Sequence, residues 1–353
     1  MRSAERAQPE AATVAVVIPN WNGAALLPAC LDALRRQTYR DHVVVVVDNG
    51  SRDASRAVLA RYPEVHTIAL PRNLGFGAAT NVGIRATATP FVATLNNDAV
   101  PEPGWLAALM AAAGSASPAV GMWASRMVQA AVPDRLDSCG IALDRVGIAW
   151  DLLGGAPVGT DRTVREPFGP CAGAALYRRA LLDEVGLFEE RFFAYLEDVD
   201  LAWRARRHGW RCQYVPAAVV HHQHSATGRE GSAWKHYLLG RNKVWLLARN
   251  FPAAWWPWLP VAVVYDLAAV SYAVVAHGDW AALRGRLAGL RALGWALRTR
   301  EQRAVPRGRR ATFAGVVARP AAPWRVPARY HHLRELAQRA ASTPSSQVGE
   351  EAR

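Results

Sequence analysis

The chain has 353 residues, a formal net charge of +13 and a sequence pI near 10.3. Hydrophobic residues make up 51% of it, which excludes a disordered chain and allows one large core or two small ones. The positive charge indicates an anionic partner, such as a phosphorylated ligand or an acidic membrane surface. Because much of the excess is arginine in the last third, we expect no nucleic-acid partner. The four cysteines show no paired spacing, which fits a reducing cytoplasm.

Residues 1–12 are polar and predict a flexible tail, after which apolar runs alternate with segments of helical spacing. Uninterrupted β-branched runs are typical of strands that are covered on both faces, as in parallel sheets. The order strand, helix, strand, helix predicts an α/β fold with a mostly parallel, doubly wound sheet. The predicted strands are residues 14–18, 43–47, 65–70 and 91–95.

The polar residues that follow these strands predict the position of a ligand site. In open α/β sheets, ligands bind beyond the carboxyl ends of the strands. The fourth strand ends in Asn96, Asn97 and Asp98, and a carboxylate flanked by amide oxygens suits a hard divalent cation that bridges phosphates. The alternative is a plain turn, because Asn and Asp favour turns in any case.

Six polar or acidic motifs follow one another in a fixed order, at residues 17–22, 47–51, 72–77, 95–98, 192–201 and 221–225. In this order they resemble family 2 glycosyltransferases of the GT-A fold, and within them the bacterial rhamnosyltransferase-like branch that builds cell-surface polysaccharides. The resemblance implies a catalytic domain at residues 13–250, with a nucleotide-sugar-binding half at 13–100 and an acceptor half at 101–250.

The resemblance also implies which residues hold the donor and a metal. Asp98 matches the last acid of the family's metal motif, and the cofactor would be Mg²⁺ or Mn²⁺. Asn96 and Asn97 precede it where two acids are usual, so we expect a lower metal affinity. His222 is the best match to the family's later histidine ligand, with His224 as the alternative. The residues expected to bind the nucleotide sugar are Pro19, Asn20, Asn22, Asp48 (through the base), Asn73, Gly75 and Asn97.

The acidic cluster at residues 197–200 predicts the start of a helix, on whose surface Asp200 and Arg204 can pair at i, i+4. By resemblance to the family's Glu-Asp pair, Asp198 is the expected general base, which would take the acceptor's proton. Glu197 is the next candidate. The alternative is that the whole cluster only caps the helix and forms salt bridges.

The character of the chain changes at residues 251–305, where we predict membrane-associating helices. An apolar stretch at 259–276 is interrupted by Asp266, which is costly in a bilayer. Beyond it, leucines from Leu283 to Leu297 alternate with arginines, as in basic helices that lie on a membrane surface. Packing on the catalytic domain, or on a second subunit of a homo-oligomer, is the alternative. Residues 306–353 predict a basic, disordered tail.

Together with the resemblance, these features predict a metal-assisted glycosyltransferase bound peripherally at the cytoplasmic face of the cell membrane, and the resemblance alone implies that it is inverting. It would move a sugar from a nucleoside diphosphate, with dTDP-rhamnose favoured, to a lipid-linked or polysaccharide acceptor. The alternative is a non-catalytic nucleotide-sugar-binding subunit of a membrane glycan complex. A dehydrogenase is disfavoured, because the residues around Gly75 lack the dinucleotide-binding spacing.

Overall fold

The computed structural model describes residues 12–164, 166–223, 232–300 and 311–321. Its strands are β1 (Val14–Asn20), β2 (His42–Asp48), β3 (His66–Ala69), β4 (Phe91–Leu95), β5 (Ala99–Pro101), β6 (Val120–Gln129), β7 (Val132–Ser138), β8 (Ile141–Asp144), β9 (Ala149–Asp151), β10 (Ala174–Arg178), β11 (Arg211–His222) and β12 (Val317–Ala318). Its helices are α1 (Leu27–Arg35), α2 (Ser55–Leu59), α3 (Phe76–Arg85), α4 (Trp105–Ser115), α5 (Arg179–Val185), α6 (Glu197–Arg207), α7 (Ala233–Asn250), α8 (Leu259–His277), α9 (Trp280–Arg291) and α10 (Leu293–Arg298).

The first four strands form a parallel sheet in the order β3-β2-β1-β4, with helices between them along the chain. The apolar side chains of β1, β4 and the second half of β2 are buried because helices cover the sheet, which explains why these runs are continuous rather than alternating, whereas the edge strand β3 is largely exposed. The α/β prediction is confirmed, and the predicted strand at 91–95 coincides with β4. The pairing of Asn20 with Asp48 places the ends of β1 and β2 side by side.

Beyond β4 the sheet becomes mixed. Strand β10 lies antiparallel between β4 and β6, β11 runs parallel to β6, and β5 and β7 pair antiparallel with β11 and β6. Parallel pairing is therefore found among the first four strands and again between β6 and β11, while the other pairs beyond β4 are antiparallel. A small second sheet of β12, β8 and β9 lies outside the main one. This arrangement brings the end of β11, with His222, beside the segment that follows β4.

Helices α7 and α9 pack closely along faces of small residues. A side chain at Gly285 would collide with the backbone carbonyl of Tyr237, and one at Gly240 would meet the carbonyl of Ala282. Because the small-residue face of α9 is the one that packs, Leu287 and Leu290 point outward and are about half exposed. The predicted leucine series is also split, since α9 ends before α10 begins.

Helix α8 presents most of its apolar surface outward. The segment Ala253–His277 is long and apolar enough to cross a membrane by length and composition, with a mean hydropathy of 1.8 and 11% of its apolar window buried. Its single acid, Asp266, faces the protein instead. It accepts hydrogen bonds from Arg286 at 2.6 and 2.8 Å and pairs with Lys243 at 2.9 Å. The charge that interrupts the apolar stretch is therefore neutralised against α7 and α9.

Candidate active site

The ends of β1 and β4 meet through a buried pair of amides. Asn97 Nδ2 donates to Asn20 Oδ1 at 2.7 Å, and both side chains are almost fully buried. Asn20 Nδ2 in turn donates to Ser51 Oγ at 3.3 Å, which also accepts from the backbone N–H of Asn22 at 2.9 Å. Pro19 lies inside β1, opposite Val47. Four of the predicted donor residues therefore lie together at the carboxyl edge of the sheet.

A second network joins the end of β2 to the turn before α3. Asn49 Nδ2 donates to Asn73 Oδ1 at 2.9 Å and to the carbonyl of Gly75 at 3.1 Å, and Asn49 Oδ1 accepts from Leu74 N at 2.8 Å. Asn49 lies within the motif at residues 47–51, but the sequence alone predicted no role for it. Its three bonds show that it holds the turn of the predicted donor residues Asn73 and Gly75 in place.

Asp48, the predicted base contact, is fully buried at the end of β2. Its Oδ2 accepts from Arg56 Nε at 3.0 Å, and its Oδ1 accepts from Ser51 N at 3.3 Å. A contact with a nucleobase would require the Arg56 side chain, which is 62% exposed, to move aside. The role of Asp48 in base recognition stays a prediction.

Asp98 and His222 lie together at the predicted metal site. Asp98 Oδ1 is 3.1 Å from His222 Nε2, and Asn96 Nδ2 lies 3.3 Å from the same nitrogen. The other ring nitrogen, Nδ1, bonds to Asp137 Oδ2 at 2.7 Å. Burial alone lowers the pKa of His222, but the charge of Asp98 and the bond to Asp137 outweigh it and hold the pKa well above its usual range. The other candidate, His224, lies outside the described residues.

This donor set fits a hard divalent cation. Mg²⁺ and Mn²⁺ are commonly held by one or two protein side chains together with substrate phosphates and water. A histidine ligand usually donates its second ring N–H to a carboxylate, which is what Asp137 provides. Within the described residues, no group of three or more His, Cys, Asp and Glu side chains is arranged to hold a metal alone. A cation held by Asp98 and His222 would therefore need further ligands from outside the described residues.

Glu197 and Asp198 open helix α6, but their surroundings differ. Asp198 is partly exposed, and its oxygens accept from Val199 N at 2.8 Å and from Ala172 N at 3.3 Å. Glu197 is 6% exposed, and its Oε2 has no hydrogen-bond partner among the described residues. Burial, and then the charge of Asp198, raises the pKa of Glu197 to about 8. Burial also raises the pKa of Asp198, although its two amide bonds oppose the shift.

Asp200 anchors the same helix from inside the protein. It pairs with Arg204 Nε at 2.8 Å, as the i, i+4 spacing predicted, but both side chains are buried. The predicted surface position is wrong because α7 covers this face. Arg249 Nε and Asn250 Nδ2 reach the other Asp200 oxygen at 3.1 and 2.7 Å. The positive charges of Arg204 and Arg249 hold the pKa of Asp200 below its ordinary value, despite the opposing effect of burial.

The loop before α6 contacts the donor half directly. Phe193 O accepts a hydrogen bond from Phe76 N at 2.5 Å, and a side chain at Gly75 would collide with that same carbonyl. Gly75 also has φ +92°, a backbone conformation that favours glycine. The turn at Gly75 is therefore one of the places where the predicted donor half contacts the predicted acceptor half.

Comparison with known proteins agrees with this geometry. The sequence profile of glycosyl transferase family 2 matches residues 15–186. The N-acetylglucosaminyl-diphospho-decaprenol L-rhamnosyltransferase of Mycobacterium tuberculosis is 28% identical over 266 residues, which cover 68% of this chain and 85% of that protein. The pre-mycofactocin glycosyltransferase of the same species is 33% identical over 235 residues, covering 64% and 46%.

Solved structures give the same fold. S. aureus TarS 1-349 in complex with UDP-GlcNAc superposes with a TM-score of 0.53 and 15% identity, covering 93% of this chain and 91% of that one. The Pyrobaculum calidifontis mannosyltransferase PcManGT, in complex with GDP-Man and Mn²⁺, gives 0.50 and 20% identity, covering 81% and 77%. The chain thus carries a glycosyl transferase family 2 domain of GT-A fold, and in sequence it is similar to an L-rhamnosyltransferase.

Proposed function

We propose that the enzyme transfers a sugar from a nucleoside diphosphate to a lipid-linked acceptor, with Asp198 as general base. The observation that carries the proposal is the segment Ala172–Gly173, which lies between the two predicted centres. Ala172 N donates to Asp198 Oδ2 at 3.3 Å, while Gly173 O accepts from Asn96 N at 2.9 Å. The carboxylate that would accept a proton is thereby held beside the segment that leads to Asp98.

In the proposed reaction, the acceptor's hydroxyl oxygen attacks the anomeric carbon of the donor sugar as the bond to the diphosphate breaks. Asp198 takes the hydroxyl proton, and its raised pKa makes it a better acceptor near neutral pH than an ordinary aspartate. Glu197 is more deeply buried and is the weaker candidate. Inversion at the anomeric carbon is inferred from the resemblance to the family.

Asp98 and His222 would hold the divalent cation, Mg²⁺ or Mn²⁺. Such a cation, when bound, supplies positive charge to the oxygens of the departing diphosphate. The Mn²⁺ in the solved mannosyltransferase complex supports this proposal. Asp137 keeps the His222 ring oriented by its bond to Nδ1, so that Nε2 faces Asp98.

The donor and acceptor are proposed from the relatives. An L-rhamnosyltransferase acting on a diphospho-decaprenol favours dTDP-rhamnose as donor and a polyprenol-linked glycan as acceptor. Asn20, Asn22, Asn97 and the turn at Gly75 would contact the donor, because they lie at the carboxyl edge of the sheet.

We further propose that the enzyme lies on the cytoplasmic face of the membrane without spanning it. The outward face of α8 is apolar, with Val264 and Leu267 about 60% exposed. Arg284 and Arg291 are exposed on α9 and complement an anionic headgroup layer. A lipid-linked acceptor presents its reacting sugar at the headgroup level, so attachment at this surface would bring the catalytic domain to it.

The decisive experiment is a screen of the purified protein against a panel of nucleotide sugars with a polyprenol-diphosphate glycan acceptor. Released nucleoside diphosphate and the glycosylated lipid are both measured. We expect product with one donor, dTDP-rhamnose, and loss of activity with a chelator. Binding of a nucleotide sugar without transfer to any acceptor would instead support a non-catalytic subunit.

A further inference from the structure

The loop that leads into α6 has an unusual backbone. Phe193, Tyr195 and Leu196 have φ angles of 66°, 70° and 68°. Large side chains rarely adopt this region, and such conformations persist only where the surroundings impose them. Asp198 follows two residues after Leu196. Whatever holds this loop therefore also sets the position of the proposed base.

The principal contact that imposes this conformation comes from one side chain on α7. Asn242 Nδ2 lies 3.0 Å from the carbonyl oxygen of Phe192 and 2.8 Å from those of Ala194 and Tyr195. Its side chain is fully buried, so no bulk water replaces these bonds. The Asn242 amide therefore bonds to three backbone carbonyls at once, which requires the loop to turn so that all three point toward it.

The rest of α7 keeps that amide fixed. Asn242 Oδ1 accepts from Arg241 Nε at 3.0 Å, which orients the carboxamide with its nitrogen toward the loop. Arg241 adds a second bond of its own to Phe192 O at 2.8 Å. The helix is tied to its neighbours at Trp245, whose indole N–H donates to Gly289 O at 3.0 Å. The loop is thus held by a side chain on a rigid, packed helix.

We propose that Asn242 is a positioning residue for the transfer reaction, acting through the backbone of residues 192–196 to place Asp198 against the acceptor. The inference rests on the proposed role of Asp198 as base. Asn242 touches no reacting atom, so its loss should affect the rate of transfer and not the binding of the donor. A residue that only supported folding would lower stability without this selectivity.

The test compares Asn242→Ala with Gln37→Ala. Gln37 is also a fully buried carboxamide, and its Nε2 lies 2.8 Å from Glu102 O and 3.3 Å from Ala33 O, so it has no bond to the loop before α6 among the described residues. We expect both variants to melt earlier than the parent. Only Asn242→Ala should lower kcat, by about 10²-fold, the scale of a small misplacement of a catalytic group. Dissociation constants for the donor should stay the same in both variants. If Asn242→Ala is not recovered folded, Asn242→Ser, which keeps one donor, replaces it.

A double variant separates this inference from the role of Asp198 itself. If Asn242 acts through the base, Asn242→Ala should cost little more in an Asp198→Asn background than Asp198→Asn alone. Fully additive losses, or a kcat like that of Gln37→Ala, would overturn the positioning role. Unchanged turnover in Asp198→Asn would instead contradict the proposed base.

Discussion

The donor edge, meaning the carboxyl ends of β1, β2 and β4, and the helices α8 and α9 were both predicted from apolar patterning, but the two predictions had different outcomes. At the donor edge the pattern gave the strands and the side chains that gather at their ends, such as Asn20 and Asn97. In α9 the pattern placed the leucines correctly along the sequence, but they face outward while Gly285 packs against α7. Apolar spacing thus locates a helix face without saying what covers it.

The difference follows from how each region is buried. A parallel strand is covered on both faces, so its residues have one environment and its end has a fixed position relative to its neighbours. A peripheral helix has two apolar options: close backbone contact through small residues, or contact of large side chains with another surface. In α9 the small residues make the close contact with α7. The large side chains are left to contact a lipid surface or another chain.

The largest effect expected at the donor edge is that of Asp98→Ala. Removing the carboxylate next to His222 should abolish metal-dependent donor binding and lower turnover by ~10³-fold or more, since a metal's charge stabilisation is worth several kcal/mol. Donor binding is measured by calorimetry with and without Mn²⁺. The control is Asp32→Ala on α1, whose carboxylate accepts from Tyr62 Oη at 3.1 Å and pairs with Arg35 at 3.5 Å. Full activity of the parent enzyme in excess chelator would contradict the metal's role.

The next largest effect is expected on the acceptor side, from Asp198→Asn. It keeps the shape of the side chain and removes the proton acceptor, so kcat should fall by about 10²–10⁴-fold while donor affinity stays the same. In the parent enzyme, turnover should fall as the pH drops through the pKa of the base. Because burial raises the pKa of Asp198, this fall should begin at a higher pH than for an exposed aspartate.

Glu197→Gln is the matched control for this experiment, because it removes the adjacent, more buried acid. We expect it to shift the acid limb of the pH profile and retain most turnover. A collapse of donor affinity in Asp198→Asn would make that residue structural. Loss of turnover in Glu197→Gln alone would assign the general base to Glu197 instead of Asp198.

Much of the site was predictable because its residues follow their own strands, as Asp98 follows β4. The parts that were missed depend on segments far apart in the sequence. Asp137 reaches His222 from β7 across 85 residues, and no local pattern marks it. The surface position predicted for Asp200 failed for the same reason, because Arg249 arrives from 49 residues away and covers it. Local spacing in the sequence predicts a helix or a strand, but which residues pack against that element depends on the tertiary fold.

Asp137 therefore offers a sharper test of the predicted metal site. Asp137→Asn removes the charge that accepts from His222 Nδ1 and should weaken Mn²⁺ binding by about 10–100-fold, the usual cost of losing such a partner. Mn²⁺ affinity is read by paramagnetic resonance, in the presence of nucleoside diphosphate and without turnover. His222→Ala should weaken it at least as much. If Asp137→Asn and the parent bind Mn²⁺ equally, His222 is not a ligand, and His224 becomes the candidate.

The smallest effect on the enzyme's own donor binding is expected from a test of what covers the outward face of α8. Replacing Val264 and Leu267 by Ser should release protein from anionic vesicles, because each apolar side chain buried in the interface contributes about 1.5–3 kcal/mol. Val158→Ser, an exposed valine far along the chain from these helices, is the control and should stay bound. Arg284→Glu with Arg291→Glu should weaken vesicle binding most at low salt and so reduce its dependence on salt, whereas Arg286 is left intact because it pairs with Asp266 inside the protein. Vesicle flotation at low and high salt measures the bound fraction, and donor binding should not change in any variant.

Resistance to alkaline carbonate would show that Ala253–His277 spans the bilayer. A dimer that forms without vesicles, and is lost in the Val264 and Leu267 variant, would assign the face to a second copy of the chain.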